Sequence, residues 1–455
     1  RITATAGRDT LVVDAEPAGF GASTRLAGYI GRFLHYSIQK LESKVGKEKA
    51  HRLWKESGDA QWVLLDLIEK EQMEVGKLYR GRFTGACSPA HYEAMATNAE
   101  YINKNVPFEY SMCPASEQHK EVGTDFWHGG MILHEHGTLH PGLYHQGLMD
   151  AAIRAGARIE GRTPVLDIAP EPGGGFTVTT RHHAIRARDV VICTNGYSNT
   201  QRSAVPWVRN RIVPVYAHQI CTDTISDGLM KDVKPSGRAV LDSKTNIFWD
   251  RPTPDDKRII FGARTGHDDG DLRITAKKLR DLMVMVYPQL AETKISHVWR
   301  GVMGFSFDHL PHTGQTRDGV YFATGFCGSG LPLGTYFGQK VGHKLVGNPE
   351  GETEWWNHGF PPGRSTTAIP GGCPPISAGS TSTTAAAAAA ISCAAARINP
   401  VIPHHPNFAS PRQPQTRPSN DRWRAAGPGL AQGSQPALQD RRREPAWRQC
   451  QGKPA

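Results

Sequence analysis

Residues 9–28 carry the feature that most restricts the fold. An apolar run, Leu11-Val12-Val13, ends in Asp14 and Glu16 and passes at once into a loop rich in glycine and small residues, Gly19, Gly21, Ala22, Ser23 and Gly28. An apolar run without alternation reads as a strand buried on both faces, as in a parallel sheet. Parallel strands need crossover connections, so the chain is expected to be α/β, with helices between its strands. The succeeding segments fit. Amphipathic stretches at 32–57 and 60–76 read as helices, 78–83 as a strand, 89–105 as a helix and 131–133 as a strand. After His140-Pro141 a helix over 143–155 is expected to stop at Gly156. The glycine turn 173–175 between 164–168 and 176–179 predicts a hairpin. Residues 189–194 form another apolar strand, closed by Asn195-Gly196.

From 211 to 304 the pattern changes to short alternating strands with one helix at 275–287, which predicts a second domain on an antiparallel sheet. A buried strand at 321–324 then leads through a glycine-rich turn into a helix over 333–346. From Pro361 to the end the composition turns to Pro, Ser, Thr, Gln, Arg and a run of alanines, which predicts a disordered tail. That tail also settles the meaning of the charge. The chain carries a formal +10, of which +8 lies beyond residue 360, so the body is nearly neutral and no nucleic-acid partner is expected. Eight scattered cysteines without a C-x-x-C pair suit free thiols in a reducing, cytoplasmic setting. No stretch is apolar for long enough to span a bilayer.

Glu16 sits at the kind of position where the acid ending the second strand of a Rossmann unit holds an adenosine ribose, a solvated acid at a strand end being the plain alternative. In the loop beyond it, small residues let backbone N–H groups approach a diphosphate, and Ser23 and Arg25 add a hydroxyl and a charge. A glycine-rich surface turn is the plain alternative. The segment from Glu16 to Gly28 resembles the E-x-x-x-x-G-A-S-x-R-x-x-G segment of D-amino-acid-oxidase-like flavoproteins. Ile192-Cys193-Thr194-Asn195-Gly196-Tyr197 is similar to that family's strand-ending A-T-N-G-Y, and Val165 to the position whose backbone meets the adenine, although a plain core valine reads the same way. The most specific match is Leu310-Pro311-His312-Thr313-Gly314, then a strand, then Gly325-Phe326-Cys327-Gly328-Ser329-Gly330-Leu331 and a helix.

This resemblance implies an FAD-dependent oxidoreductase acting on an amine or amino acid. Its cofactor would meet Glu16, Ser23, Thr24, Arg25, Val165, Thr194, Asn195, Gly196, Gly325, Gly328, Ser329, Gly330 and Leu331. Residues 1–76, 127–205 and 297–350 would form the FAD-binding domain, and 77–126 and 206–296 the substrate domain. Gly301 stands near the flavin-linking cysteine of the sarcosine-oxidase branch, so non-covalent FAD is expected. Met303 stands where amino-acid oxidases place a carboxylate-clamping arginine, which points to the branch oxidising amines such as gamma-glutamylputrescine. Arg264 and Arg300 are alternative clamps. Oxygen or an electron carrier would reoxidise the flavin. The G-x-G-x-x-G turn expected before Glu16 is not in the sequence, so FAD binding is expected to be weak or absent; a truncated, non-catalytic product that cannot bind FAD is one alternative and an amino-acid dehydrogenase of the same superfamily is another. His134, His136 and His140 lack the helical spacing of a zinc motif, so no metal is expected.

Overall fold

The computed structural model describes residues 1–363 apart from 77–78, 199–203, 245–246 and 267–269. The chain divides into two units, Arg1–Pro375 and Ile376–Ala455. The second unit, and with it the expected tail from 364 onward, lies outside the described residues.

Among the described residues four sheets carry the first unit, with strands and helices numbered in chain order. A parallel pair joins β1 (Leu11–Val13) to β6 (Arg158–Glu160). A second group runs β10-β17-β16, where β10 (Val191–Ile192) and β17 (Tyr321–Thr324) are parallel and β16 (His312–Gln315) is antiparallel to β17. The predicted hairpin is β7 (Val165–Pro170) and β8 (Phe176–Thr180), extended by β9 (Ala184–Ala187). The glycines at its turn, Gly174 and Gly175, have φ of 92° and 86°, which explains why glycine is used there.

The large sheet runs β15 (Ile295–Ser306), β11 (Ile212–Thr222), β14 (Ile259–Gly266), β13 (Phe248–Pro252), β12 (Ala239–Asp242), β3 (Tyr79–Gly85), β5 (Gly130–Thr138) and β2 (Tyr29–Ile30), with β4 (Tyr110–Cys113) also on β5. Every pairing in it is antiparallel except β12 with β3. Directly paired residues share a face. Phe83, Val240, Phe261 and Ile220 therefore stand on one side, where they form a core with Leu279, Met283 and Val286 of α9 (Leu272–Val286). The same register puts Arg82, Thr84, Leu241, Trp249, Gly262, Gln219, Trp299, Gly301 and Met303 on the other side.

The remaining helices are α1 (Ile2–Thr5), α2 (Ala22–Arg25), α3 (Ile38–Val45), α4 (Lys47–Lys70), α5 (Pro89–Asn105), α6 (Pro141–Arg154), α7 (Pro206–Arg209), α8 (Asp227–Val233) and α10 (Gly330–Leu345). Their starts follow local chemistry: Ser88 Oγ accepts from the His91 N–H and Pro89 takes the first turn of α5, and His140 with Pro141 does the same for α6.

Two sequence expectations are corrected. The helices expected at 32–57 and 60–76 break instead at Gly46, whose φ of 83° no helix admits, while α4 runs unbroken through Ser57-Gly58-Asp59. Residues 50–67 of α4 bury a continuous stripe that includes Leu53, Leu64 and Leu67, and this packing overrides the local glycine. The strands at 9–16 and 189–194 are not buried on both faces: Val12 is 46% and Val191 37% exposed. Among the described residues β1 pairs with β6 alone and β10 with β17 alone, so each has one open edge.

Candidate functional site

Residues 25–33 lie against the second face of the large sheet and are tied to it at several points. The Arg25 carbonyl accepts from Gln219 Nε2 at 2.7 Å and from Trp299 Nε1 at 3.0 Å. Arg251 Nε donates to the Ala27 carbonyl at 2.6 Å. The Tyr29 hydroxyl lies 2.7 Å from the Val240 carbonyl and 2.9 Å from that of Asp250. Tyr29 and Phe33 pack with Leu241, Trp249 and Met303 in one apolar cluster. Ser329 Oγ, at the start of α10, then donates to the Phe33 carbonyl at 2.6 Å.

This path brings the sheet face to the glycine turn 325–330. Asn195 makes the closest join. Its Oδ1 accepts the Gly325 N–H at 2.9 Å, and the Gly304 carbonyl accepts the Cys327 N–H at 3.0 Å. A Cβ on Gly304 would lie 2.2 Å from Asn195 Oδ1, and one on Gly196 would lie 3.0 Å from the Met303 backbone, so both glycines are required by contact. Gly325 and Gly328 have φ of 70° and 103°, and Cys327 between them has 51°. Such a turn leaves backbone N–H groups at the N-terminus of α10, a helix of 16 residues, where the dipole favours negative charge.

Around this turn sit Arg264, one of the clamps the sequence offered, and two histidines that the sequence alone did not single out. Arg264 Nη2 approaches within 3.6 Å of the Cβ direction of Gly328, and its guanidinium lies 5.3 Å from the Phe305 ring centre. His35 packs against Phe305 at 5.2 Å and His309 at 5.1 Å. Burial first, then the charge of Arg264 and then His309, push the His35 imidazole down to about 4, so it is neutral in ordinary buffers. The His309 imidazole is lowered for the same main reason, burial. His35 Nε2 is buried without a hydrogen-bond partner. His309 falls inside the stretch 308–314 that marks the family, but nothing in spacing pairs it with His35, which lies near the other end of the folded chain.

The expected cofactor residues therefore fall into two groups. Asn195, Gly196, Gly325, Gly328, Ser329, Gly330 and Leu331 converge with Arg264 and Met303. Glu16, exposed at the end of β1, lies near Val165 instead: the Asp14 carbonyl accepts the Thr163 N–H at 2.7 Å, and the Glu16 carbonyl that of Arg162 at 3.0 Å. The loop between them is joined to the turn side through Tyr197, whose ring lies 3.5 Å from the Cβ direction of Gly21 and whose neighbour Thr194 bonds Ser198 at 2.6 Å. Thr24 Oγ1 is used within the loop, donating to the Gly19 carbonyl at 2.6 Å, and Arg25 stacks on Phe20 at 4.1 Å. Ser23 is exposed beside them. Arg300 alternates to the sheet face opposite Met303, with its guanidinium 6.0 Å from the Tyr216 ring. Among the described residues no group of three or more His, Cys, Asp or Glu could hold a metal, and no helix is long and apolar enough to cross a membrane.

The geometry fits a flavin nucleotide better than a small polar ligand. It offers an exposed acid and a loop of small residues at one end and, at the other, a glycine turn with an orphaned buried imidazole nearby. The model of the family described as FAD dependent oxidoreductase matches residues 2–343. A probable oxidoreductase OrdL of Haemophilus influenzae is 27% identical over 346 residues, covering 76% of this chain and 79% of that one. The gamma-glutamylputrescine oxidoreductase of Escherichia coli is 25% identical over 373 residues, with 80% and 84% covered. Among solved structures, glycine oxidase from Geobacillus kaustophilus is similar with a TM-score of 0.64 at 17% identity, covering 80% of this chain and 94% of its own. L-proline dehydrogenase from P. horikoshii gives 0.62 at 18%, covering 78% and 90%. These two establish a shared fold.

Proposed function

This chain belongs to the DAO family of FAD-dependent oxidoreductases, and from that premise we propose that it oxidises the C–N bond of an amine to an imine, which water then hydrolyses. In this reading the carbon bearing nitrogen loses a hydride and the nitrogen a proton; FAD, held without a covalent link, supplies the two-electron acceptor, and oxygen or an electron carrier restores it. Residues 1–76, 127–205 and 297–350 hold the cofactor and 77–126 and 206–296 the substrate. Glu16 and the loop through Arg25 serve the adenosine and diphosphate end, with Val165 beside the adenine. Asn195 and the turn 325–331 serve the ring end, where the N–H groups starting α10 favour the negative charge that reduction brings.

The observation that carries the reading is Met303 facing the apolar cluster of Tyr29, Phe33 and Trp249. A substrate carboxylate against that cluster would lose its hydration without a bidentate partner there. The site so described accepts the apolar stem of an amine. His35, held neutral by burial, adds no charge that would repel a protonated amine, and burial lowers the His309 imidazole as well. The gamma-glutamylputrescine oxidoreductase of Escherichia coli is an amine-acting relative by its name, in line with this reading.

Anaerobic stopped-flow bleaching of the flavin tests it. A primary or secondary amine with a longer chain is expected to reduce the flavin faster than glycine, sarcosine or D-alanine, and Met303→Arg to shift the preference toward those small amino acids by about tenfold or more. Fast reduction by D-alanine in the unchanged protein would overturn the amine reading in favour of an amino-acid oxidoreductase with Arg264 as the clamp.

A further inference from the structure

Arg82 carries a buried charge that no carboxylate among the described residues accompanies. It is 7% exposed, on β3, and it shares the sheet face of Leu241 and Trp249. Other cations of this region have partners, Arg251 donating to the carbonyls of Ala27 and Pro252 and three more having acidic company. Lys234 is bonded to Asp250, Arg238 to Glu121, and the charges of Glu135 and Asp59 act on Arg32. For Arg82 the one group favouring its charge among the described residues is the Tyr29 phenol, and burial pushes the guanidinium down to about 10. Its Nε has no hydrogen-bond partner.

Its neighbours are orphaned in the same way. Thr84 Oγ1, two residues on and on the same face, is buried without a partner, as is His136 Nδ1 on β5. The charges of Arg82 and Arg32 both act on the His136 imidazole, which is 5% exposed and is kept neutral chiefly by burial. The backbone prepares this grouping. The β3–β5 register shifts between Arg80 and Arg82, a bulge that re-aims side chains, and Gly31 is bare of a Cβ that would lie 2.3 Å from His136 Nδ1. A desolvated cation beside unfilled donors is costly unless an anion completes it.

We propose that Arg82, Thr84 and His136 form an anion subsite that takes a carboxylate at the far end of the substrate. This rests on the amine reading above. The apolar cluster of Tyr29, Phe33, Leu241, Trp249 and Met303 forms the floor between the two ends, since Phe33 is bonded to Ser329 at the glycine turn and Tyr29 acts on Arg82. Arg264 on β14 and Arg82 on β3 are three strands apart in the sheet order, about 14 Å along the sheet from backbone to backbone. The substrate class is therefore an extended amine with a terminal carboxylate, oxidised at the end away from it. An anion clamp remote from the reacting carbon replaces the adjacent clamp of an amino-acid oxidase.

Two measurements on the full chain loaded with FAD separate this subsite from the reaction. In calorimetric titration, glutarate is expected to bind the unchanged protein, and Arg82→Gln to weaken it by about tenfold or more, with Arg82→Lys between the two. In flavin bleaching, aminoundecanoic acid is expected to half-saturate at a concentration about tenfold lower than its neutral primary amide, with glutarate competing and Arg82→Gln erasing the difference. Equal glutarate affinity in the unchanged protein and Arg82→Gln overturns the subsite. Glutarate binding that depends on Arg82 but does not compete with the amino acid overturns its assignment to substrate. Loss of glutarate binding in Arg82→Gln with no bleaching by either amine keeps the anion site and sinks the amine reading instead. Should Arg82→Gln fail to fold by circular dichroism, Thr84→Val and His136→Gln carry the same comparison.

Discussion

At the scale of single residues, the site depends on side chains that satisfy one another across long sequence distances. Asn195 adopts φ of 40° and its Oδ1 takes the Gly325 N–H, so it holds β10's end and the glycine turn in one geometry. Asn195→Ala would leave that donor without its acceptor, at a cost of about 1–3 kcal/mol, and should lower the urea midpoint and the FAD affinity together. Unchanged FAD affinity would show that Asn195 is structural alone. His35 gives a pH test. Its folded-state value of about 4 lies below the ordinary 6.5, so the unfolded chain binds a proton that the folded chain refuses. The contribution is accordingly fully present above about 6.5, is lost as pH falls toward about 4, and is on the order of 2 kcal/mol. His35→Gln should flatten the fall in unfolding free energy between about pH 7.5 and about pH 4.5, and an unchanged slope would place the titration elsewhere. Glycines and the 308–331 pattern were legible in the sequence because backbone constraints are local. The partners of Arg264, His35 and Arg82 were not, because a pairing across a sheet leaves no trace in spacing.

Among elements, helices and strands were legible where periodicity and caps agree. Ser88-Pro89 and His140-Pro141 mark the starts of α5 and α6 within a residue or two of the pattern. The break between α3 and α4 was misplaced because Gly58 and Gly46 look alike in sequence; only the buried stripe of α4 keeps the helix running past Gly58. One buried pair ties the end of α8 to the large sheet. Lys234, its C-cap, bonds Asp250 on β13, and Tyr287 donates to Asp250 Oδ2 at 2.9 Å. Burial raises the Asp250 carboxyl and lowers the Lys234 ammonium, so each needs the other. Lys234→Met should destabilise by about 3–5 kcal/mol by stranding the carboxylate, and adding Asp250→Leu should return most of the loss. A double variant no more stable than Lys234→Met would mean that the sheet, not the pair, fails.

Over the whole molecule, the charge and the composition separate a nearly neutral body from a basic, proline-rich stretch beyond residue 360. That stretch offers no apolar periodicity with which to offset the entropy of ordering it, so ending the chain at residue 363 should move the melting temperature by no more than about one degree. A drop of several degrees would show that it docks on the body. The α/β class, the order of elements and the family were determined by the sequence alone, because apolar runs, glycine turns and their succession are properties of neighbours along the chain. Register was not. Which face Arg82, Arg264 and Met303 share, that Arg300 turns away from them, and that Val12 and Val191 stand at open edges were decided only when strands paired, since alternation fixes a side chain's face only relative to the partner strand.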